Sequence, residues 1–248
     1  MSDNEKIKIL ILAAGKGKRM ESELPKVLAK IGGKTMIGHL IESIKSATNE
    51  KPIAIVGYKM EIVKTELGDA CFYVEQKEQL GTGHAVSCAE KECGDAENIM
   101  VLSGDQPFIS ANTIRNLIER HLRSDAIITL ATTKVSDFED WRSGFRAFGR
   151  ILRQNGNIIG IREYKDASET ERNIKEVNAG YYVFDAKWLW DNLRKINNEN
   201  AQKEYYLTDL IKIATNEKAR IKSIDIDVRE ALGANSKEEL AILEKFIA

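Results

Sequence analysis

Residues 7–28, IKILILAAGKGKRMESELPKVL, narrow the fold of this chain more than any other stretch. Residues 7–14 are a run of aliphatic side chains of the kind that forms a strand buried on both faces, as in parallel sheets. The run ends in Gly15-Lys16-Gly17, and Lys18, Arg19, Pro25 and Lys26 follow. Glycines let a backbone turn sharply and approach a ligand closely, and successive peptide N–H groups in such a turn form a nest for anions. With two glycines and four basic residues in twelve positions, the stretch predicts a strand that delivers a polyphosphate-gripping loop rather than an ordinary turn with solvated charges. It is neither of two familiar phosphate motifs. A dinucleotide fingerprint needs a third glycine where Met20 stands, and a Walker loop needs Ser or Thr where Arg19 follows Gly17-Lys18.

Further apolar runs at 52–57, 71–74, 98–103 and 126–132 read as strands, with helical spacing over 36–47, 83–93 and 112–123. Strands alternating with helices imply right-handed crossovers and a mostly parallel sheet. The second half changes character. Residues 149–152, 158–162 and 177–184 are strand candidates, and Asn155-Gly156 between two apolar runs is a hairpin signal. Helices are predicted over 205–215 and 236–246, with a strand over 221–228 between them. The expected fold class is α/β: a Rossmann-like, mostly parallel sheet flanked by helices, with a small antiparallel extension.

A chain of 248 residues with a net charge of -1 has no basic surplus to offer nucleic acid or an anionic membrane, so neither is expected as a partner. Any phosphate binding must be local. The three cysteines, Cys71, Cys88 and Cys93, show no metal-ligand spacing and read as reduced thiols. The polar N-terminus carries no signal-peptide pattern, and no apolar run approaches the roughly 20 residues of a membrane helix. A soluble, cytoplasmic protein is expected.

Ligands of parallel α/β sheets bind beyond the carboxyl ends of the strands, which selects the loops 15–26, 76–82 and 103–107. Asp105, between Gly104 and Pro107, would be held at the sheet edge. A carboxylate facing a polyphosphate usually works through Mg²⁺. The plain alternative is a turn-capping Asp, and only the neighbouring basic loop tips the reading toward metal. The amide of Gln76 can donate and accept at once, as the imide edge of a pyrimidine requires, and Gly81-Thr82 leaves backbone groups free nearby. On those residues alone, a loop without a role is the better reading.

The segments LAAGKGKRMESELPKVL, EQKEQLGTGHAV, LSGDQPF, GRILRQNGNIIGIREYKDA, EVNAGYYVF and QKEYYLTD, in that order, resemble the uridylyltransferase (pyrophosphorylase) domain of bacterial N-acetylglucosamine-1-phosphate uridylyltransferases, in the sugar nucleotidyltransferase superfamily. The likeness runs from about Ile7 to the end. It implies one nucleotidyltransferase domain over residues 1–248, with a nucleotide-binding half at roughly 1–135 and a sugar-binding half at 136–248. It also implies UTP and N-acetylglucosamine 1-phosphate as substrates and Mg²⁺ as cofactor. Residue by residue, Leu12, Ala13, Ala14 and Gly15 would lie against the nucleotide, with Ser103 and Gly104 beside them. Arg19 would hold the leaving phosphates, and Lys26 the reacting centre. Gln76, Gly81 and Thr82 would read uracil. Asp105 and Asn235 would ligate the metal. Gly149, Glu163, Asn178 and Thr208 would contact the N-acetylhexosamine, with Tyr206 close by.

The chain departs from that pattern in places. Lys18 stands where the family usually has Thr, Ser103 where many members have an aromatic residue, and Arg146-Ala147-Phe148-Gly149-Arg150 where Gly-Tyr-Gly-Arg is usual. No hexapeptide repeats of a left-handed β-helix are present, so acetyltransferase activity is not expected of this chain. Two other readings stand beside the leading one: a sister nucleotidyltransferase using another sugar phosphate or dTTP or CTP, and a catalytically silent nucleotide-sugar sensor on the same fold.

Overall fold

The computed structural model describes residues 7–20 and 22–247, apart from the Lys18 side chain. Its strands are β1 (Ile7–Ala13), the short β2 (Lys30–Ile31) and β3 (Lys34–Thr35), β4 (Ile53–Val56), β5 (Phe72–Glu75), β6 (Asn98–Ser103), β7 (Ile128–Lys134), β8 (Arg150–Gln154), β9 (Asn157–Arg162), β10 (Glu176–Asp185) and β11 (Ile221–Asp225). Nine of these form one sheet in the order β11-β7-β10-β6-β1-β4-β5, with β8 joined to β10 and β9 to β8. The strands β5, β4, β1 and β6 are parallel, as are β7 and β11, while β10 runs antiparallel between β6 and β7. The α/β, mostly parallel sheet flanked by helices is therefore the observed fold. The antiparallel part comprises β8, β9 and the long β10 in mid-sheet.

Alternation along β1 explains the two layers. Ile9 and Ile11 face one core with the helices Met36–Ala47 and Ala111–Leu122, and Leu10 faces a second core with Thr82–Cys88, Ala186–Leu193 and Asp209–Asn216. All three side chains are fully buried, as a strand covered on both faces demands. The helix Met36–Ala47 starts where the Thr35 side chain accepts from the Gly38 N–H at 3.2 Å, and Ala111–Leu122 starts at Ser110, which accepts from Thr113 at 3.1 Å.

Three predicted elements shift for identifiable reasons. Residues 205–207 are not helical because the loop 80–83 takes their backbone groups: Tyr205 N–H donates to Leu80 O, Gly83 N–H to Tyr205 O, and Leu207 N–H to Thr82 Oγ1. The helix starts only at Asp209. The helical run 83–93 divides at Ala89, whose ψ of 0° leaves the α-helical range. β11 stops at Asp225, and the Asp227 side chain then caps a 3₁₀ turn, Val228–Ala231. The Asn155-Gly156 turn does join β8 to β9, with φ of 50° and 79°, the left-handed pair that a two-residue hairpin turn favours.

Arg150, at the start of β8, is fully buried. Its guanidinium donates to the carbonyls of Arg172 at 3.1 Å, Arg146 at 3.1 Å, Phe145 at 3.3 Å and, most closely, Phe148. Desolvation lowers its pKa, and the rings of Phe138 and Tyr164 lie 4.6 and 5.4 Å from the guanidinium carbon. This side chain folds the segment 145–149 around itself. Arg150→Lys keeps the charge but lacks the planar fork, so a loss of about 3 kcal/mol is expected in urea unfolding. A loss well under 1 kcal/mol would show that the carbonyl cage does not depend on the fork.

His121, 3% exposed, hydrogen-bonds Thr129 Oγ1 at 3.0 Å, and burial pushes its pKa down to about 4 against an opposing pull from Asp185. Between the unfolded value near 6.5 and about 4, the unfolded chain binds a proton that the folded one refuses. Stability from this group is therefore full above pH ~6.5 and falls by about 1.4 kcal/mol per unit as pH drops through that window. His121→Gln should flatten that part of the wild-type urea-midpoint profile between pH 6.5 and 4. Parallel profiles would mean the imidazole is protonated in the fold.

Candidate active site

The carboxyl ends of β1, β4, β5 and β6 open onto one edge of the sheet. The loop after β1 returns toward β6 through a 3₁₀ turn, Lys26–Leu28, anchored by buried Val27 and Leu28. A Cβ on Gly17 would stand 2.6 Å from Lys26 Cβ, so the glycine lets the loop close on the lysine stem. Lys26 Nζ then donates to the Asp105 carboxylate at very close range and to Asn235 Oδ1 at 2.9 Å. The turn after β6 is tied to β1 by Gly104 N–H to Leu12 O at 3.0 Å, and Ala234 N–H to Asp105 O at 3.2 Å brings Asn235 alongside. Glu239 accepts from the Asn235 N–H at 2.6 Å and fixes it there. Residues 26, 105 and 235 thus meet at one point, with the lysine and aspartate side chains only 19% and 15% exposed. An ion pair so withdrawn from water is stronger than an ordinary surface pair.

Beside this cluster lies a hollow of about 310 Å³ lined by Ser103, Asp105 and Asn235 and by Gly149, Glu163 and Asn178. The expected metal-binding and sugar-binding residues therefore share a cavity wall, which Gln106, given no role from the sequence, also joins. Asn178 is held by Nδ2–H to Tyr182 OH at 2.5 Å, by Gly180 N–H to its Oδ1 at 3.1 Å, and by its own N–H to Gly149 O at 2.9 Å. Burial raises the Glu163 pKa, and Asp209, Asp166 and Glu204 push the same way, while the 2.8 Å hydrogen bond from Thr208 Oγ1 opposes them. Thr208 and Tyr206 line a second, larger cleft of about 730 Å³ between β9 and the helix Asp209–Asn216, with Glu163 common to both spaces.

At the far side, Gln76 is 3% exposed, and its amide nitrogen lies 3.1 Å from Gly81 O and 3.0 Å from His84 Nδ1. Thr82 Oγ1 accepts from Leu207. The contacts made by Gln76 and Thr82 hold the loop in shape at the end of β5, three strands from β6. Leu12, Ala13, Ala14 and Gly15 lie between, at the end of β1, where Tyr58 N–H donates to Ala14 O at 3.3 Å. Arg19 is exposed on the loop. The Lys18 side chain lies outside the described residues. None of the three histidines joins the cluster: His39 bonds Ile31 O, His84 faces Gln76, and His121 is in the core.

Among the described residues there is no group of three or more His, Cys, Asp or Glu that could hold a metal by itself. Asp105 and Asn235 instead offer one carboxylate and one amide oxygen, already converging on a cation, the Lys26 ammonium. That donor set fits a small hard ion that takes its remaining ligands from phosphate and water.

The profile of the MobA-like NTP transferase domain matches residues 9–204. The chain belongs to this family. It is 42% identical over 238 residues to the bifunctional protein GlmU of Streptococcus uberis and to that of Streptococcus pyogenes serotype M1, covering 95% of this chain and 50% of each relative. The chain thus spans about half the length of those relatives. Two solved structures share the fold, each with a TM-score of 0.75. One is a putative glucose-1-phosphate thymidylyltransferase from Bacillus anthracis, 20% identical, covering 97% of this chain and 94% of that one. The other is a UDP-glucose pyrophosphorylase complexed with UDP-glucose, 18% identical, covering 98% of both.

An ion at the Asp105 and Asn235 oxygens would have to displace the Lys26 ammonium. Lys26→Met should therefore bind Mn²⁺ without nucleotide about fivefold more tightly than the wild type, as titrated by electron paramagnetic resonance. Equal affinities would show that the ion and the ammonium do not share a position.

Proposed function

We propose that the chain is a sugar-1-phosphate nucleotidyltransferase that transfers UMP from UTP to N-acetylglucosamine 1-phosphate, giving UDP-N-acetylglucosamine and pyrophosphate. One observation carries the reading. A lysine from the β1 loop, a carboxylate from the β6 loop and an asparagine amide converge beside a hollow that also holds Gly149, Glu163 and Asn178. Membership of an NTP transferase family and the 42% identity to GlmU proteins support it. None of the three cysteines is in a disulfide, and among the described residues no helix is long and apolar enough to cross a membrane. The cytoplasm is the setting proposed with this activity.

The residues present suit a transfer without a covalent intermediate. An oxygen of the sugar 1-phosphate is already an anion, so no general base has to remove a proton. Its bond to the α-phosphorus forms as the bond from that phosphorus to the β-phosphate oxygen breaks, and the electron pair leaves with pyrophosphate. Such a step mainly needs positioning and charge neutralisation. Lys26 would place its ammonium at the reacting phosphate, and Arg19 would meet the β- and γ-phosphates from the loop. Mg²⁺ held by Asp105 and Asn235 would supply further neutralisation of the phosphate oxygens. Leu12, Ala13, Ala14, Gly15, Ser103 and Gly104 would form the floor under the nucleotide, with Gln76, Gly81 and Thr82 shaping the base end. Gly149, Glu163 and Asn178 would receive the sugar, and Thr208, through its bond to the Glu163 carboxyl, would hold that acid in place.

The test is pyrophosphate release with Mg²⁺ across UTP, dTTP and CTP against several sugar 1-phosphates. The expected peak is UTP with N-acetylglucosamine 1-phosphate, and Asp105→Ala should lower its kcat by on the order of 10²-fold or more with the melting curve nearly unchanged. A peak at another sugar or base would move the protein to a sister activity. Tight binding of a UDP-sugar without turnover of any pair would make it a sensor. A fully active Asp105→Ala would remove that carboxylate from the chemistry.

A further inference from the structure

Gln106 follows the metal-site aspartate and is 5% exposed. Its Nε2 donates to Ala179 O and to Ala231 O, both at 2.9 Å. Two carbonyls on one end of an amide settle its orientation, because the flipped group would set oxygen against oxygen. The Oε1 atom is thereby turned away, and no protein donor reaches it although it is buried. A buried acceptor without a donor is costly and calls for a physical reason.

The surroundings of Oε1 supply one. β10 carries two extra residues against β7 between Asn178 and Tyr182, and Gly180 sits in that bulge with φ of 82°. A Cβ on Gly180 would stand 3.2 Å from Gln106 Oε1 and 3.4 Å from Ser103 Oγ. The missing side chain leaves a niche between an acceptor with nothing to accept and a hydroxyl that can donate or accept. It opens on the hollow beside Asp105 and Asn178. A hydroxyl is the group that satisfies both at once, donating to Gln106 and accepting from Ser103.

The geometry points to Gln106 as a specificity-determining residue whose Oε1 accepts a hydrogen bond from a hydroxyl of the bound substrates, seated over Gly180. The inference rests on the nucleotidyltransferase reading of the same hollow. Both substrate halves carry ring hydroxyls, on the ribose and on the hexose, and the chemistry at the niche is the same for either. The amide nitrogen meanwhile pins the β10 bulge and the segment before Asn235, so one side chain sets the niche and reads what enters it.

The experiment is a cycle between residue and hydroxyl. Wild type, Gln106→Met and Gly180→Ala are assayed with UTP and its 2′- and 3′-deoxy forms, and with the preferred sugar 1-phosphate and its monodeoxy forms. In the wild type, one deoxy substrate should lose about fivefold to tenfold in kcat/KM, and whether it is a nucleotide or a sugar phosphate tells which half fills the niche. In Gln106→Met that particular penalty should fall below about twofold while the other penalties stay put. Gly180→Ala puts a Cβ 3.2 Å from Oε1, at the strain that φ of 82° imposes on alanine, and once folded it should erase the same penalty. If neither variant folds, the wild type decides alone: no deoxy substrate losing more than about twofold would overturn the inference. If either folded variant lowers kcat/KM by one factor for every substrate, or if no wild-type penalty responds to it, the niche takes no substrate hydroxyl and Gln106 is structural. A wild type that turns over no pair at all would overturn the function reading and this inference together, an outcome distinct from an active enzyme with unaltered penalties.

Discussion

The loops at the sheet edge take their places from the reversed direction of β10 in mid-sheet. This strand runs against both neighbours, pairing Tyr182 to Asp185 with β6 on one side and two stretches, around Asn178 and around Val183, with β7 on the other. Tyr181, Val183 and Phe184 are almost fully buried, so the strand is as deep in the core as β1. Because it is reversed, its beginning lies at the edge where β1 and β6 end, and Asn178 arrives beside Ser103, Asp105 and Asn235. Its bulge then interrupts pairing with β7 just where Gln106 and Ser103 approach. Bulges of this kind re-aim side chains next to binding sites.

Charge organises what the sheet edge presents. The net charge of the chain is -1, yet the β1 loop carries Lys16, Arg19 and Lys26, while the opposite wall holds Glu163 among Asp166, Glu204 and Asp209. The anionic end of a substrate would meet the cations, and a hydroxylated, uncharged end would meet the acids. Lys26 ties the β1 loop to Asp105 and Asn235. On this account, Lys26 would leave the carboxylate for a substrate phosphate, and Asp105 and Asn235 would then be free to hold an ion.

Much of this was legible in order along the chain. The helix Met36–Ala47 and the strand Asn98–Ser103 have the bounds their periodicity indicates, because each lies in a hydrophobic environment that its own pattern describes. Other elements carry no such signal. The helix Met60–Leu67 begins at Lys59, which is in the left-handed region and makes no side-chain cap, and it buries Val63 alone, so pattern and capping are both weak. The β2–β3 hairpin has two residues on each side, too few to alternate. The helix Ala186–Leu193 follows β10 directly, with Asp185 serving as both the last strand residue and the helix cap. At 205–207 the helical pattern is overridden by hydrogen bonds to a loop more than 120 positions earlier.

Local pattern and residue chemistry are enough for the mostly parallel α/β class, the basic glycine loop with Lys26, and Asp105 at the end of a buried strand, whereas Asn235 stands out only through the family resemblance. That Lys26 rests between Asp105 and Asn235, that Thr208 and Tyr206 face a cleft apart from Asn178, and that Gln106 holds a turned-away oxygen over Gly180 emerges only in the folded chain. The reason is physical. Side-chain period and turn chemistry act over a few residues, whereas each of these contacts joins segments at least 45 positions apart and exists only once the chain has folded them together.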